Sequence, residues 1–251
     1  MALKRYFIEL AYNGSAYNGW QRQPNAISIQ ELLEEALGKL LNKSIAIVGA
    51  GRTDTGVHAL QMFAHFDVEQ DINKPMELVF LLNSFLKNDI TIKNIVRVKS
   101  DTHARFDATC RSYEYHISTV KDPFNFGLHY YLKSKPNIDL MNQAAKIILK
   151  HEDFQCFSKS KTDVKTFICN VKTAVWKQEK SSMVFYIRAN RFLRNMVRAI
   201  VGTLLEIGFE KRIVDDMEDV IKSKDRSQAG FSAPAHGLYL THIEYPENIF
   251  E

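Results

Sequence analysis

The spacing of apolar residues constrains this chain most, because it switches between a two-residue and a 3.6-residue period in an order that occurs twice. "RYFIELAYNG" (5–14) carries β-branched and aromatic residues and ends in Asn-Gly, so it reads as a strand running into a turn. "SIQELLEEALGKLL" (28–41) opens on Ser28 with Glu31 three residues on, a capping box, and places Leu33, Leu37 and Leu40 at helical spacing. Strands at 44–51 and 60–68, a helix at 75–86 with Pro75 in its first turn, and a strand at 90–99 complete the first hundred residues. The remainder repeats the order with insertions. It has a strand at 111–120, a helix at 139–150, strands at 166–178 and 182–190 able to form a hairpin, helices at 191–208 and 213–223, and a strand at 237–245. The expected fold class is therefore α+β, built from two ferredoxin-like (RRM-like) βαββαβ halves with mainly antiparallel sheets. The break falls near residues 100–110, giving an N-terminal domain over 1–103 and a C-terminal domain over 104–251.

At 251 residues and 45% hydrophobic content the chain can bury a substantial core. Charged residues make up 25% and the net charge is +4, which fits a polyanionic partner without demanding one. No run of eighteen apolar residues exists, so a membrane-spanning helix is not expected. The start reads as an exposed terminus leading into a strand, with no signal-peptide core. Cys110, Cys156 and Cys169 are odd in number and lack CxxC spacing. They read as small buried thiols of a reducing cytoplasm, not as a disulfide framework or a zinc site.

"GAGRTDTGVHAL" (49–60) is the stretch whose chemistry needs deciding. Gly51 and Gly56 have the glycine spacing of a Walker loop, but Val57 and His58 stand where lysine and a hydroxyl should be. A dinucleotide fingerprint would need glycine where Asp54 sits, and a carboxylate there repels pyrophosphate. Two readings survive: a plain turn between strands, with glycine for positive φ and aspartate as turn former, or a rigid mount for a catalytic carboxylate.

Five further blocks, "GWQRQP" (19–24), "HARFDATCRSYEY" (103–115), "HEDFQCF" (151–157), "FLRNMVRAIVGTLLEIG" (192–208) and "GLYL" (237–240), occur in order with "GAGRTDTGVHA". Together they resemble the A-type tRNA pseudouridine synthases, the TruA family, over nearly the whole chain. The resemblance implies the pseudouridine synthase fold. It also implies conversion of uridine to pseudouridine at positions 38, 39 and 40 of the tRNA anticodon arm. That reaction breaks the C1′–N1 bond, turns the uracil over and rejoins it through C5, so no metal, redox cofactor or nucleotide is expected. The family acts as a homodimer, so a second copy is an expected partner beside tRNA, and the expected location is cytoplasmic.

The resemblance also assigns roles. Asp54 matches the catalytic aspartate, whose attack at C6, attack at C1′ or part in a glycal route stays open. Arg52, two residues earlier, matches the arginine that holds the flipped nucleotide out of the stack. Tyr113 matches the tyrosine that packs on the target base, where a phenol can also relay the C5 proton; Tyr115 reads as core. Arg198 in "MVRAIVG" matches the arginine that pairs with the catalytic aspartate. Leu238 matches a residue of the apolar pocket wall. Arg191, Arg194 and Arg198 fall at i, i+3 and i+7 of the expected helix and form a basic ridge, with Arg191 and Arg194 suited to phosphates. Arg105 and His103 of "HARF", and His58, are further candidates for substrate contact. The histidines have no metal-ligand spacing. Two departures from the family pattern are Lys87, where a proline is usual, and Cys169, near the place of an arginine. A non-catalytic RNA-binding protein and an RNA glycosidase remain as rival readings.

Overall fold

Alternation of inward and outward residues makes Lys4–Tyr12 a strand, β1, with Phe7, Ile8, Leu10 and Tyr12 buried. A computed structural model describes residues 3–159, 164–179 and 182–251; Met1 and Ala2, where the sequence reads an exposed start, lie outside them. The chain falls into two units, Met1–Thr109 with Leu240–Glu251, and Cys110–Tyr239.

In the first unit, β1 is followed by α1 (Ile29–Leu41), β2 (Ile47–Gly49), β3 (His58–Val68), α2 (Pro75–Phe85) and β4 (Ile90–Val98). The β1–β3, β1–β4 and β2–β3 pairs are all antiparallel, so the order is β4-β1-β3-β2, the ferredoxin-like arrangement. Ser28 caps α1 by accepting the Glu31 backbone N–H, as the sequence implies. Across β1 and β3, Arg5 faces Asp67 and grips it at both carboxylate oxygens, Nε–Oδ1 at 2.8 Å and Nη2–Oδ2 at 2.7 Å. That bidentate pair pins the strand register. The residues from Leu240 on include most of β9 (Leu238–Glu244), which lies beside β3. Tyr245 and Phe250 then cover Phe7, with ring centroids 5.0 and 6.3 Å away.

The second unit contains β5 (Cys110–Ser118), β6 (Tyr130–Tyr131), α3 (Ile138–Ile148), β7 (Val171–Glu179), β8 (Ser182–Ala189), α4 (Met196–Gly208) and α5 (Asp216–Ser223). β8 is antiparallel to both β5 and β7, and the short β6 runs parallel to β5. Asn142 of α3 grips the backbone of Trp176 on β7 through both its amide atoms, at 2.8 and 3.1 Å. The architecture is the α+β one the sequence implies. Its main correction concerns the helix expected over 191–208, which begins only at Met196. Asn195 adopts a left-handed conformation (φ 68°), and residues 191–195 run up to the helix outside it. Asparagine tolerates that region, and the turn it makes breaks the helical spacing read into the arginines.

Candidate active site

The stretch between β2 and β3 is fixed by the segment that follows β1. Thr53 is turned inward: its hydroxyl lies 2.9 Å from the buried Tyr12 hydroxyl, and its carbonyl accepts the Trp20 N–H at 3.2 Å. Of its neighbours, Arg52 is exposed and Asp54 half-buried. The Asp54 carbonyl then accepts the Val57 N–H at 3.1 Å, closing a turn with Gly56 at φ +79°. Gly56 donates to the Tyr17 carbonyl at 3.3 Å, and Tyr17 is itself tied by its hydroxyl to Asp89 at 2.6 Å. Gly19 sits at φ +80°, and a Cβ there would lie 2.3 Å from the Thr53 carbonyl oxygen and 3.0 Å from the Asp54 carbonyl carbon. Only a glycine lets the two segments approach so closely. The loop is therefore a turn whose backbone is held from both sides.

His58, the first residue of β3, is 1% exposed, and its Nδ1 accepts the Gly14 N–H at 3.1 Å. It therefore fastens the clamping segment to the strand behind Asp54 and offers no surface to a ligand. Arg105 is exposed, with its guanidinium 5.8 Å from the centre of the Phe106 ring.

In the second unit, Tyr113 and Tyr115 lie two residues apart on β5, opposite Ile187 and Phe185 of β8. Tyr115 is wholly buried and donates to the Pro234 carbonyl at 2.8 Å, and burial pushes its phenol far up. Tyr113 is half-buried, and Phe192 meets its ring edge-on with centroids 5.2 Å apart and planes at 88°. Arg198 is the half-buried residue of an otherwise apolar first turn of α4. Its Nε donates to the Ala233 carbonyl at 2.7 Å, and its own carbonyl accepts the Ala233 N–H at 3.0 Å. This crossing requires Gly202, where a Cβ would stand 1.7 Å from the Phe231 carbonyl oxygen. Arg226 braces the same segment, donating to the carbonyls of Ala229 and Gly230 and to the Ser232 hydroxyl. His236 is held below its ordinary pKa by burial, with Arg198 a further cause. Leu238 is buried at the start of β9, and Arg191 and Arg194 lie in the segment before α4, Arg194 exposed.

The bracing residues Tyr12, Gly19, Gly202 and Arg226 carry no role in the sequence reading. The two glycines carried the only available signal, since each stands inside a resembling block. The three cysteines are buried, and burial pushes the Cys156 thiol up to about 12 and that of Cys169 to about 11, so neither is a nucleophile at neutral pH. Among the described residues no cluster of three or more His, Cys, Asp or Glu could hold a metal ion, and no helix is long and apolar enough to cross a membrane.

A family model described as tRNA pseudouridine synthase matches residues 10–107 and 144–246. These ranges include every candidate residue except Tyr113, which lies between them. The chain is 50% identical over 248 residues to the tRNA pseudouridine synthase A of Parabacteroides distasonis, covering 99% of this chain and 98% of that protein. It is 52% identical over 255 residues to the protein of the same name from Bacteroides fragilis, covering 100% of both. With the tRNA pseudouridine synthase A of Francisella philomiragia it shares 39% identity over 250 residues, 99% of this chain and 96% of that one.

Proposed function

Because the chain belongs to the tRNA pseudouridine synthase family, we propose that it isomerises uridine to pseudouridine at positions 38, 39 and 40 of the tRNA anticodon stem-loop. The single observation that carries this reading is similarity along the full length, at half identity, to proteins named for that activity. Chemically the reaction is balanced without a cofactor. The C1′–N1 bond breaks, the uracil rotates, C1′ bonds to C5, and the C5 proton leaves while N1 gains one.

In this reading the N-terminal half presents Asp54 as the catalytic carboxylate, acting as nucleophile, and the C-terminal half supplies the aromatic and arginine residues. The loop clamp supports the assignment of Asp54, since a fixed carboxylate loses little freedom on meeting the sugar–base junction. Arg198 pairs with Asp54 and orients it. The hydrogen bond from its Nε to the Ala233 carbonyl supports that role by fixing the guanidinium. Tyr113 stacks on the extruded base and can relay the C5 proton. Arg52 holds the nucleotide out of the stack, Leu238 lines the pocket wall, and Arg191, Arg194 and Arg105 meet phosphates. His58 we assign to loop support. The protein works as a cytoplasmic homodimer with one tRNA reaching both copies; sedimentation at micromolar concentration distinguishes dimer from monomer.

The test is tritium release from tRNA labelled at C5 of uridine. Wild type is expected to release it with no change in product mass. Asp54→Asn, which keeps the side-chain volume but loses the charge, is expected to fall by at least about a thousandfold while still binding tRNA. Binding by wild type without release would leave an RNA-binding protein on this fold, and an abasic product would indicate a glycosidase.

A further inference from the structure

We propose that Phe106 is a stacking platform for an unpaired base of the RNA substrate, with Arg105 beside it as a phosphate contact. The inference rests on the reading that this protein acts on RNA. Phe106 is 73% exposed. A lone exposed apolar residue is ordinary on a protein surface, so exposure alone argues nothing. What sets this ring apart is how firmly it is held.

Its ring lies on that of His103, with centroids 4.3 Å apart and planes at 35°. His103 in turn meets the buried His65 edge-on at 4.7 Å. Each histidine is fixed by its Nδ1: that of His65 accepts the Ala104 N–H at 3.1 Å, and that of His103 accepts the N–H groups of Arg105 at 3.1 Å and Phe106 at 3.4 Å. The Asp107 carboxylate accepts the His103 N–H at 2.6 Å, and the Tyr245 hydroxyl donates to the Ala104 carbonyl at 2.5 Å. Arg5 reaches the Thr102 carbonyl at 2.9 Å. A five-residue surface turn is thus pinned at nearly every position, and its tip shows an aromatic ring to solvent.

Such a ring has little freedom left to lose when a flat partner settles on it, which is the condition for efficient stacking. Every nucleobase has a π-face, so the contact is tolerant of sequence. The Arg105 guanidinium, 5.8 Å from the ring centroid, stands at the outer limit of a cation–π contact and within reach of the phosphates flanking a stacked base. Arginine beside a rigid exposed aromatic is the pairing that single-stranded nucleic acid uses.

The experiment titrates full-length protein with unmodified tRNA at several salt concentrations. Phe106→Ala is expected to weaken affinity about tenfold. Phe106→Trp is expected to bind within about twofold of wild type, and Phe106→Leu, apolar but not flat, to resemble the alanine variant. The dependence of log Kd on log salt should keep its slope in the Phe106 series and flatten by about one in Arg105→Ala. Alanine or leucine variants that bind like wild type would overturn the proposal. So would a Phe106→Ala protein whose only change is its sedimentation without RNA, which would assign the ring to a contact between protein copies. Wild-type protein that binds no tRNA would instead remove the RNA reading itself, and this inference with it.

Discussion

Thr53 anchors its loop by turning inward onto a buried tyrosine, between an exposed Arg52 and a half-buried Asp54. That arrangement was partly readable. The Arg-Thr-Asp pattern between glycines announced a turn that carries charge, but Tyr12, forty-one residues earlier, carries no local mark of being its anchor. His65 illustrates the same limit. As one histidine in an apolar strand it carries no local mark of its surroundings, yet buried there it has a measurable signature. Burial first, then the Arg5 cation and the nearby His103, pull its pKa down to about 4, with Asp67 opposing. Unfolded, the group titrates near 6.5. Between those values the unfolded chain holds the extra proton, so stability is present above about pH 6.5 and drains away as pH falls toward 4. In His65→Gln, which keeps an acceptor for the Ala104 N–H and cannot titrate, the urea midpoint is expected to fall less steeply between pH 6.5 and 4.5 than in wild type. Equal slopes would assign that acid sensitivity to other groups.

Helix α4 carries the element-scale lesson. Its apolar residues Val197, Ile200, Leu204 and Ile207 are all buried, as their spacing implies, because a 3.6-residue pattern survives almost any surroundings. Its start was misplaced by five residues because "RFLRN" has good helix formers and the left-handed Asn195 is a local choice that periodicity does not register. Gly202 lies inside a resembling block, but periodicity counts it as one more helical residue. In the fold it is the slot through which the Phe231 backbone passes. Gly202→Ala should therefore destabilise the protein by roughly 3 kcal/mol, despite alanine's better helix propensity, because the obstacle is backbone and cannot rotate aside. Chemical denaturation reads this directly. Since the same crossing holds Arg198 through Ala233, turnover should drop in the folded fraction too, by more than a change in tRNA affinity explains.

For the whole molecule, the order of elements was legible twice over, because each half needs the same alternation of periods to bury one face of a sheet. The grouping of Leu240–Glu251 with the opening hundred residues was not, since sequence adjacency says nothing about which sheet a final strand joins. Removing those residues should leave Phe7 without Tyr245 and Phe250 and make the first unit the earlier target of limited proteolysis, while 110–239 stays protected. Comparable digestion of both units would contradict that expectation. The same arrangement ranks the two units by what each needs in order to close. Residues 110–239 form one continuous stretch that holds its own core. The opening hundred residues keep an aromatic face uncovered until 240–251 folds back onto it.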